Sequence, residues 1–244
     1  MKISIITISF NAEATIEKTL QSVAKQSYKK IEHIIVDGGS KDNTIGICNL
    51  HPHLSKIISE PDKGVYDAFN KGIKIATGDV IGFLNADDTF YDENSIQAIV
   101  DAFSQNNVGI IYGDLDYINN QGKKIRDWIS RPYKRGLVKK AWKPAHPTFY
   151  CKKDIYDSLG DYNDSFKISG DFELCLRFLE INNIPSFYLK KKLVKMLIGG
   201  ISNSGLKSKW IIHKEDIRAF RINDISINPI LFFFHKLMKL KQFF

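Results

Sequence analysis

Short apolar segments alternate with amphipathic segments over residues 1–112, and this alternation constrains the fold more than any other feature of the chain. The apolar segments are rich in Ile and Val; they are KISIITIS, IEHIIVD, SKIIS and VIGFLN. The intervening segments, such as residues 12–25 and GVYDAFNKGIKIA, carry apolar residues at helical spacing. Strands that alternate with helices predict βαβ units, and therefore a largely parallel sheet with helices on both faces.

The composition is that of a globular protein. A chain of 244 residues with 43% hydrophobic and 25% charged residues is long enough to bury one large core. No uncharged apolar run reaches the length of about 18 residues that a spanning helix requires. The three cysteines are far apart and lack the spacing of zinc ligands, which favours reduced thiols in a cytosolic protein.

The positive charge is concentrated at the C-terminal end of the chain. Residues 186–244 hold 12 Lys or Arg against 3 Asp or Glu, within a net charge of +8 for the whole chain. The last segment, PILFFFHKLMKLKQFF, repeats apolar residues at helical spacing; they are Ile230, Phe233, Phe234, Leu237, Leu240 and Phe244. Because His235, Lys236 and Lys239 lie on other faces, the pattern predicts a helix on an anionic membrane surface. Docking of this helix on its own domain is the alternative.

Polar residues collect where three of the predicted strands end. They are Ser9 and Asn11 after the first strand, Asp37 at the end of the second, and Asn85, Asp87 and Asp88 after the fourth. Ligands of open α/β sheets bind at the carboxyl ends of the strands, which predicts a binding site at this edge. The alternative is ordinary turn chemistry, since Asp and Asn favour turns. Adjacent carboxylates also suit Mg²⁺ or Mn²⁺, which completes its coordination with phosphates and water.

Two common nucleotide motifs are absent. The sequence has no GxxxxGK[ST] loop, and no GxGxxG follows the first strand. We therefore do not expect a nucleotide held in the manner of ATP in a P-loop protein or of NAD in a dinucleotide-binding domain.

Five blocks, in order, resemble a family 2 glycosyltransferase of the GT-A fold. They are SIITISFNAEATIEKTLQSVAKQSY, EHIIVDGGSKDNT, EPDKGVYDAFNKGIKIATGDVIGFLNADD, HPTFYCKK and ISGDFELCLRF. The sequence looks most like bacterial enzymes of surface-polysaccharide assembly, of the colanic acid type. The resemblance implies a GT-A domain over residues 1–205, with a nucleotide-sugar-binding half at 1–112 and an acceptor-binding half at 113–205. Basic amphipathic helices follow at 206–244.

The resemblance also implies a reaction. It is inverting, metal-dependent transfer of one hexose or deoxyhexose from a nucleotide-diphosphate sugar, with Mn²⁺ or Mg²⁺ as cofactor. The acceptor is a polyprenyl-diphosphate-linked or other glycan of lipopolysaccharide or capsule synthesis, reached from the cytoplasmic face of the cell membrane. The QxxRW block of processive synthases is absent, which favours transfer of a single sugar. A nucleotide-sugar-binding or nucleotidyltransferase-like protein without glycosyl transfer is the alternative, and no motif for nucleic acid accompanies the basic tail.

Site residues follow from the same resemblance. Asp171 of SGDFELCLR matches the catalytic base, because inverting displacement requires a carboxylate that accepts the proton of the acceptor hydroxyl. A helix-capping role for Asp171 and Glu173 as a rival base are the alternatives. Asp88 is expected on the metal, and Asp87 is expected to be shared between metal and ribose. The other predicted nucleotide-sugar contacts are Ile8, Ser9, Phe10, Asn11, Asp37, Asp62, Asn70, Asn85 and His146.

Three positions depart from the family pattern at the nucleotide side. Gly38 stands where many relatives carry a second Asp that contacts the uracil ring, Asn85 replaces the usual first Asp of the DxD-type motif, and Phe69 replaces an Arg. These differences leave the base of the donor open. Asp62 is expected to contact the donor sugar from its loop, and His146 to contact the diphosphate or the acceptor.

Overall fold

A computed structural model describes residues 1–199 and 206–240, and over these residues the chain forms a nine-stranded sheet flanked by helices. The strands are β1 Ile3–Ser9, β2 Ile31–Asp37, β3 Leu54–Ser59, β4 Val80–Phe83, β5 Thr89–Phe90, β6 Ile110–Ile118, β7 Lys124–Trp128, β8 Tyr150–Lys152 and β9 Ser186–Leu197. The helices are α1 Ile16–Ala24, α2 Thr44–Cys48, α3 Val65–Ile75, α4 Ser95–Gln105, α5 Lys153–Leu159, α6 Gly170–Cys175, α7 Leu206–Ile222 and α8 Pro229–Leu240.

The first half of the sheet confirms the predicted βαβ organisation. Strands β3, β2, β1 and β4 lie side by side and run parallel, in that order. Ile3 lies opposite both Ile31 and Val80, and Ser9 lies opposite Asp37. Strands β1, β2 and β4 are almost fully buried, whereas β3 at the edge of the sheet is partly exposed. Because the four strands are parallel, the loops that follow them emerge at one edge of the sheet.

The second half of the sheet is mixed, so the prediction of a mostly parallel sheet holds only for the first half. Strand β8 lies between β4 and β6 and is antiparallel to both. Strand β9 pairs parallel with β6, whereas β5 and β7 are antiparallel additions. The direction of β8 follows from the segment that connects it to the preceding strand. The segment between β7 and β8 contains only short 3₁₀ turns, and it lacks the crossover helix that usually joins parallel strands.

The C-terminal helices pack on the segment that leads into α6. Phe232 of α8 is 1% exposed and contacts Phe172 and Phe220, with ring centroids 6.0 and 5.1 Å away. Lys236 forms an ion pair with Asp216 of α7. The helix therefore docks on its own domain through Phe232, a residue outside the predicted apolar pattern.

The three described residues of the predicted apolar face of α8 remain exposed. Ile230, Phe233 and Phe234 are 69%, 45% and 55% exposed. The side chains of Leu237 and Leu240, and the whole of Phe244, lie outside the described part of the chain. So does residue 205, on one side of the expected domain boundary. Within residues 1–199 and 206–240, no helix combines the length and the apolar character needed to cross a membrane.

Candidate active site

Asp37 organises the carboxyl ends of the first three strands. Its buried carboxylate accepts hydrogen bonds from the hydroxyls of Ser9 and Ser59, at 3.0 and 2.7 Å. It also accepts the backbone N–H groups of Gly39 and Ser40, at 3.1 and 2.8 Å, and the Ser40 hydroxyl. Burial raises the pKa of Asp37, but the hydrogen bonds from the serines outweigh burial and the net pKa is lowered. Asp37 is thus a charged anchor for the loops beside the ligand edge.

The loop after β1 is tied to the loop after β2. Asn11 has a φ of 48°, a conformation that non-glycine residues seldom adopt. Its backbone N–H donates to the Ser40 hydroxyl at 2.8 Å, and its Oδ1 accepts the Lys41 N–H at 2.8 Å. Ile8 is partly buried, whereas Asn11 is exposed and the Phe10 ring beside it is 64% exposed. An exposed ring on an ordered loop is well placed to contact a ligand.

The carboxylates after β4 lie in a buried or partly buried environment. Asp88 is fully buried, and its Oδ1 accepts the Leu197 N–H at 3.1 Å. Its Oδ2 and the Oδ1 of Asn85 are buried and have no hydrogen-bond partner among the described residues. Burial raises the pKa of the partly buried Asp87. Burial, and next the charge of Asp87, raises the pKa of Asp88 well above its usual value.

This arrangement fits a hard divalent cation. Within residues 1–199 and 206–240, no three His, Cys, Asp or Glu side chains converge on a common point. Mg²⁺ and Mn²⁺ do not require three, because one or two carboxylates and the substrate phosphates complete the shell. The buried Oδ2 of Asp88 has no hydrogen-bond partner among the described residues, so it is an oxygen that a cation could use. Asp87 is the more accessible carboxylate, because the backbone of β9 already occupies one oxygen of Asp88.

Asp171 lies in the first turn of α6. Its Oδ2 forms an ion pair with the Lys143 ammonium, and its Oδ1 is buried without a hydrogen-bond partner among the described residues. The N-terminus of α6 has no side-chain cap, so Asp171 does not act as a capping residue. Its backbone N–H donates to the Tyr66 hydroxyl at 3.4 Å. The hydrogen-bonding capacity of the Asp171 Oδ1 is therefore not used by any described residue.

Glu215 of α7, and not Asp171, binds the backbone N–H groups that precede α6. Its carboxylate accepts the backbone N–H groups of Lys167, Ile168 and Ser169, at 2.7, 2.9 and 2.9 Å. These donors immediately precede α6, so a negative charge sits where the helix dipole favours one. The segment carrying Asp171 is thus fixed from the C-terminal helices.

Charges of alternating sign connect Asp171 to α8. Lys143 is paired with Asp171 and lies within electrostatic range of Asp216, which is paired with Lys236. Burial lowers the pKa of Lys143, but the charge and the hydrogen bond of Asp171, together with the charge of Asp216, outweigh burial and the net pKa is raised. Tyr117 lies within electrostatic range of both Lys143 and Asp88, so the catalytic candidate and the carboxylates after β4 belong to one region.

The rival carboxylate, Glu173, is engaged in a structural role. It is 3% exposed and forms a two-point ion pair with Arg177, at 3.1 and 3.2 Å. Arg177 also donates to the carbonyl oxygens of Leu159 and Gly160, at 2.5 and 2.7 Å. Glu173 therefore holds the preceding loop, and Asp171 remains the candidate base.

His146 and Asn70 lie on the buried side of this region. The His146 Nε2 is 2.9 Å from the Tyr162 hydroxyl, and its ring stacks on Phe69 at 4.9 Å. Burial lowers the pKa of His146 to about 4, so it is neutral at pH 7. The Asn70 amide bonds the backbone of Tyr162 with both its oxygen and its nitrogen, at 2.9 and 2.8 Å. His146, Tyr162 and Asp171 line a cavity of about 10 Å³, about enough for one water.

Lys143 and Glu215 were not identified from the sequence. Lys143 is one lysine among many, and no neighbouring residue indicates a special role, because its partner Asp171 is distant in the chain. Glu215 did have a signal, since Glu215 and Asp216 interrupt a segment that is otherwise strongly basic. An acidic pair in a basic helix indicates that its carboxylates have specific partners.

The parallel first half and the mixed second half of the sheet together form a fold of the GT-A type, the fold of nucleotide-sugar transferases. Solved structures share this fold. The chain is similar to S. aureus TarS in complex with UDP-GlcNAc, with a TM-score of 0.70, 15% identity, and coverage of 95% of this chain and 69% of that one. It is also similar to the mannosyltransferase PcManGT from Pyrobaculum calidifontis in complex with GDP-Man and Mn²⁺, with a TM-score of 0.68, 17% identity, and coverage of 95% and 66%.

The chain belongs to glycosyl transferase family 2, whose sequence profile matches residues 4–167. A PGL/p-HBAD biosynthesis glycosyltransferase of Mycobacterium tuberculosis is 27% identical over 216 residues, covering 85% of this chain and 82% of the relative. An uncharacterized glycosyltransferase of Mycobacterium tuberculosis is 34% identical over 179 residues, covering 72% and 68%. The protein is therefore a glycosyltransferase.

Proposed function

We propose that the protein transfers a single sugar, with inversion, from a nucleotide-diphosphate sugar to a lipid-linked saccharide of bacterial surface-polysaccharide synthesis. The observation that carries this proposal is the state of Asp171. It lies in the first turn of α6, it has no capping role, and one of its oxygens has no hydrogen-bond partner among the described residues. The nearest rival acid, Glu173, is held by Arg177.

In the proposed reaction, Asp171 accepts the proton of the acceptor hydroxyl. The hydroxyl oxygen forms a bond to the anomeric carbon while the bond from that carbon to the diphosphate breaks, and the nucleoside diphosphate leaves with the electron pair. Lys143 holds the carboxylate of Asp171 in place through the ion pair. Attack from the side opposite the leaving group inverts the anomeric centre, and a correctly placed base contributes about 10²- to 10⁴-fold to such a step.

The donor side of the proposed site is the edge formed by the ends of β1, β2 and β4. Asp87 and Asp88 are the residues that would hold Mg²⁺ or Mn²⁺, with Asp87 facing the ligand and Asp88 supporting it from the core. A bound metal would stabilise charge on the departing diphosphate. Asn85 is proposed to contact the ribose with its unpartnered Oδ1.

A transfer assay with the Asp171→Asn variant tests the proposal. We expect sugar transfer to fall by about 10²-fold or more, measured by mass spectrometry of the glycosylated acceptor. Asp164→Asn is the matched control, because Asp164 is an exposed carboxylate in the loop before α6, and it should retain full activity. Undiminished transfer by Asp171→Asn would remove Asp171 as the base, and a product with retained anomeric configuration would contradict inversion.

We also propose that α7 and α8 place the enzyme on an anionic membrane surface at the cytoplasmic face. Phe233 and Phe234 of α8 are exposed, and Trp210 of α7 is 60% exposed. His213, one turn from Trp210, contacts the Phe233 ring at 5.5 Å. Lys209 and Lys214 are exposed on the same helix. Aromatic rings flanked by lysines suit the interface of an anionic bilayer.

Vesicle sedimentation tests the membrane proposal. The protein should sediment with phosphatidylglycerol vesicles, less with phosphatidylcholine vesicles, and less at high salt because the charges are screened. Phe233→Ser combined with Phe234→Ser should abolish sedimentation. Leu50→Ser, at a 79% exposed position after α2, is the control and should have no effect. Retention of DNA without affinity for anionic vesicles would refute the membrane proposal.

A further inference from the structure

Phe10, Gly38 and Asp62 meet at the carboxyl ends of three adjacent strands. Phe10 follows β1, Gly38 follows β2, and Asp62 lies in the loop after β3. A β-carbon at Gly38 would lie 2.5 Å from the Oδ2 of Asp62 and 3.4 Å from the Phe10 ring. The carboxylate of Asp62 therefore occupies the space into which a side chain at position 38 would project, and glycine is the residue that permits this approach.

One oxygen of the Asp62 carboxylate is available to accept a hydrogen bond from a ligand. Its Oδ1 accepts the Gly64 N–H at 2.9 Å, and over residues 1–199 and 206–240 no hydrogen bond or ion pair engages its Oδ2. The side chain is exposed. By contrast, Asp37 is buried and is saturated by hydroxyl and N–H donors from its own loops. Asp62 rather than Asp37 is thus the acceptor available to a ligand here.

The position suits the base of a nucleotide whose phosphates lie at Asp87. Strand β1 separates β2 from β4 in the sheet, and adjacent strands lie about 4.8 Å apart. The ends of β2 and β4 are therefore about 10 Å apart, which is close to the distance from the base to the phosphates in a nucleoside diphosphate. Phe10 offers an exposed ring for stacking beside the carboxylate.

We propose that Asp62 recognises the nucleobase of the donor, with Phe10 as its stacking platform, so that a carboxylate from the loop after β3 replaces the one missing at position 38. This inference rests on the proposed function and deepens it. A carboxylate accepts hydrogen bonds and does not donate them. Uracil, thymine and guanine present a ring N–H at the centre of the base-pairing edge, whereas cytosine and adenine present a bare nitrogen there. The site therefore selects a uridine, thymidine or guanosine diphosphate sugar.

Moving the carboxylate between the two loops tests the proposal. The variants are Asp62→Ala, Gly38→Asp and the double variant with both changes. Gly38 does not have a positive φ, so its backbone accepts an aspartate. Each protein is titrated with UDP, dTDP, GDP, CDP and ADP in MnCl₂ by calorimetry. Glu60→Ala is the control, because Glu60 is an exposed carboxylate of the same loop that is paired with Lys71.

Asp62→Ala should weaken binding of the preferred diphosphate by about 10- to 100-fold, the value of a hydrogen bond to a charged group. Its preference over CDP and ADP should disappear. Gly38→Asp alone should also weaken binding, because two carboxylates would then compete for one space. The double variant should recover most of the affinity and the preference, whereas Glu60→Ala should match the wild type.

The outcomes separate this inference from the function on which it rests. If no diphosphate binds the wild-type protein, both proposals fail. If diphosphates bind but Asp62→Ala leaves their affinities unchanged, or weakens all of them by one common factor, the base-recognition role of Asp62 is wrong and the glycosyltransferase site stands. A double variant no better than Asp62→Ala would equally overturn the replacement of one carboxylate by the other.

Discussion

Neutralising Asp171 and Lys143, singly and together, separates the chemical role of Asp171 from its structural role. The two side chains form an ion pair and are 15% and 26% exposed. Asp171→Asn leaves the Lys143 ammonium without its partner, and Lys143→Met does the same to the Asp171 carboxylate. Loss of activity in either single variant therefore has two explanations, one chemical and one through stability. The double variant removes both charges and restores electrical balance.

The magnitude follows from the burial of the pair. Leaving one member of a fully buried ion pair unpaired costs about 3–5 kcal/mol. Since both side chains keep some contact with solvent, we expect about 2–3 kcal/mol for each single variant. For a domain of this size, 1 kcal/mol shifts the melting temperature by about 2–4 °C, so each single variant should melt about 5–10 °C lower. The double variant should recover most of this loss, giving a coupling energy of about 2 kcal/mol.

Urea unfolding and the transfer assay are run on the same four proteins. Asp171→Asn and the double variant should both lack transfer, although the double variant is nearly as stable as the wild type. Lys143→Met should keep measurable transfer, because the base is present but poorly positioned. Recovery of transfer in the double variant would refute Asp171 as the base. A coupling energy below about 0.5 kcal/mol would refute the ion pair as a structural element.

Three further predictions concern other parts of the chain. Glu215→Gln should reduce kcat by up to about 100-fold, because a small misplacement of the segment that carries Asp171 is costly. Glu93→Gln is the exposed control and should not reduce kcat. Equal kcat in the two variants would contradict the anchoring role of Glu215. Burial raises the pKa of Glu32, but hydrogen bonds from Ser4, Thr77 and Lys2 outweigh it and lower the pKa to about 2. Its stabilisation is thus present above the unfolded value of 4.5 and is lost as pH falls towards 2, so urea unfolding should show a smaller acid loss in Glu32→Gln. Asp88→Ala should abolish Mn²⁺-dependent nucleotide binding in calorimetry, whereas Asn85→Ala should weaken it less; equal and complete loss would mean that the motif is misassigned.

The sequence predicted the donor half of the fold because its signals are local. An Ile-rich strand that ends at Ser9, and an amphipathic α3 that buries Phe69 and Ile73, can each be recognised from a few neighbouring residues. The parallel order of the first strands then follows from the helical connections. Asp37, Asp87 and Asp88 came together at one edge for the same reason.

The acceptor half was less predictable because its contacts join residues distant in the chain. Strand β8 has three residues and is inserted antiparallel between β4 and β6, and so short an apolar run has no distinctive period. The partner of Asp171 lies 28 residues away, and Glu215 lies 46 to 48 residues from the groups it binds. Spacing within one segment contains no information on such pairs.

The C-terminal helices belong physically to the catalytic region, although composition separates them from the rest of the chain. Glu215 fixes the segment before Asp171, and Phe232 packs against Phe172, the next residue of α6. The charge row from Asp171 through Lys143 and Asp216 ends at Lys236 of α8. A movement of α8 would therefore act on the region of Asp171 through the packing of Phe232 on Phe172 and through the two ion pairs of this row. A surface that binds the exposed face of α8 would bind a structural support of the proposed active site, and not an appendage.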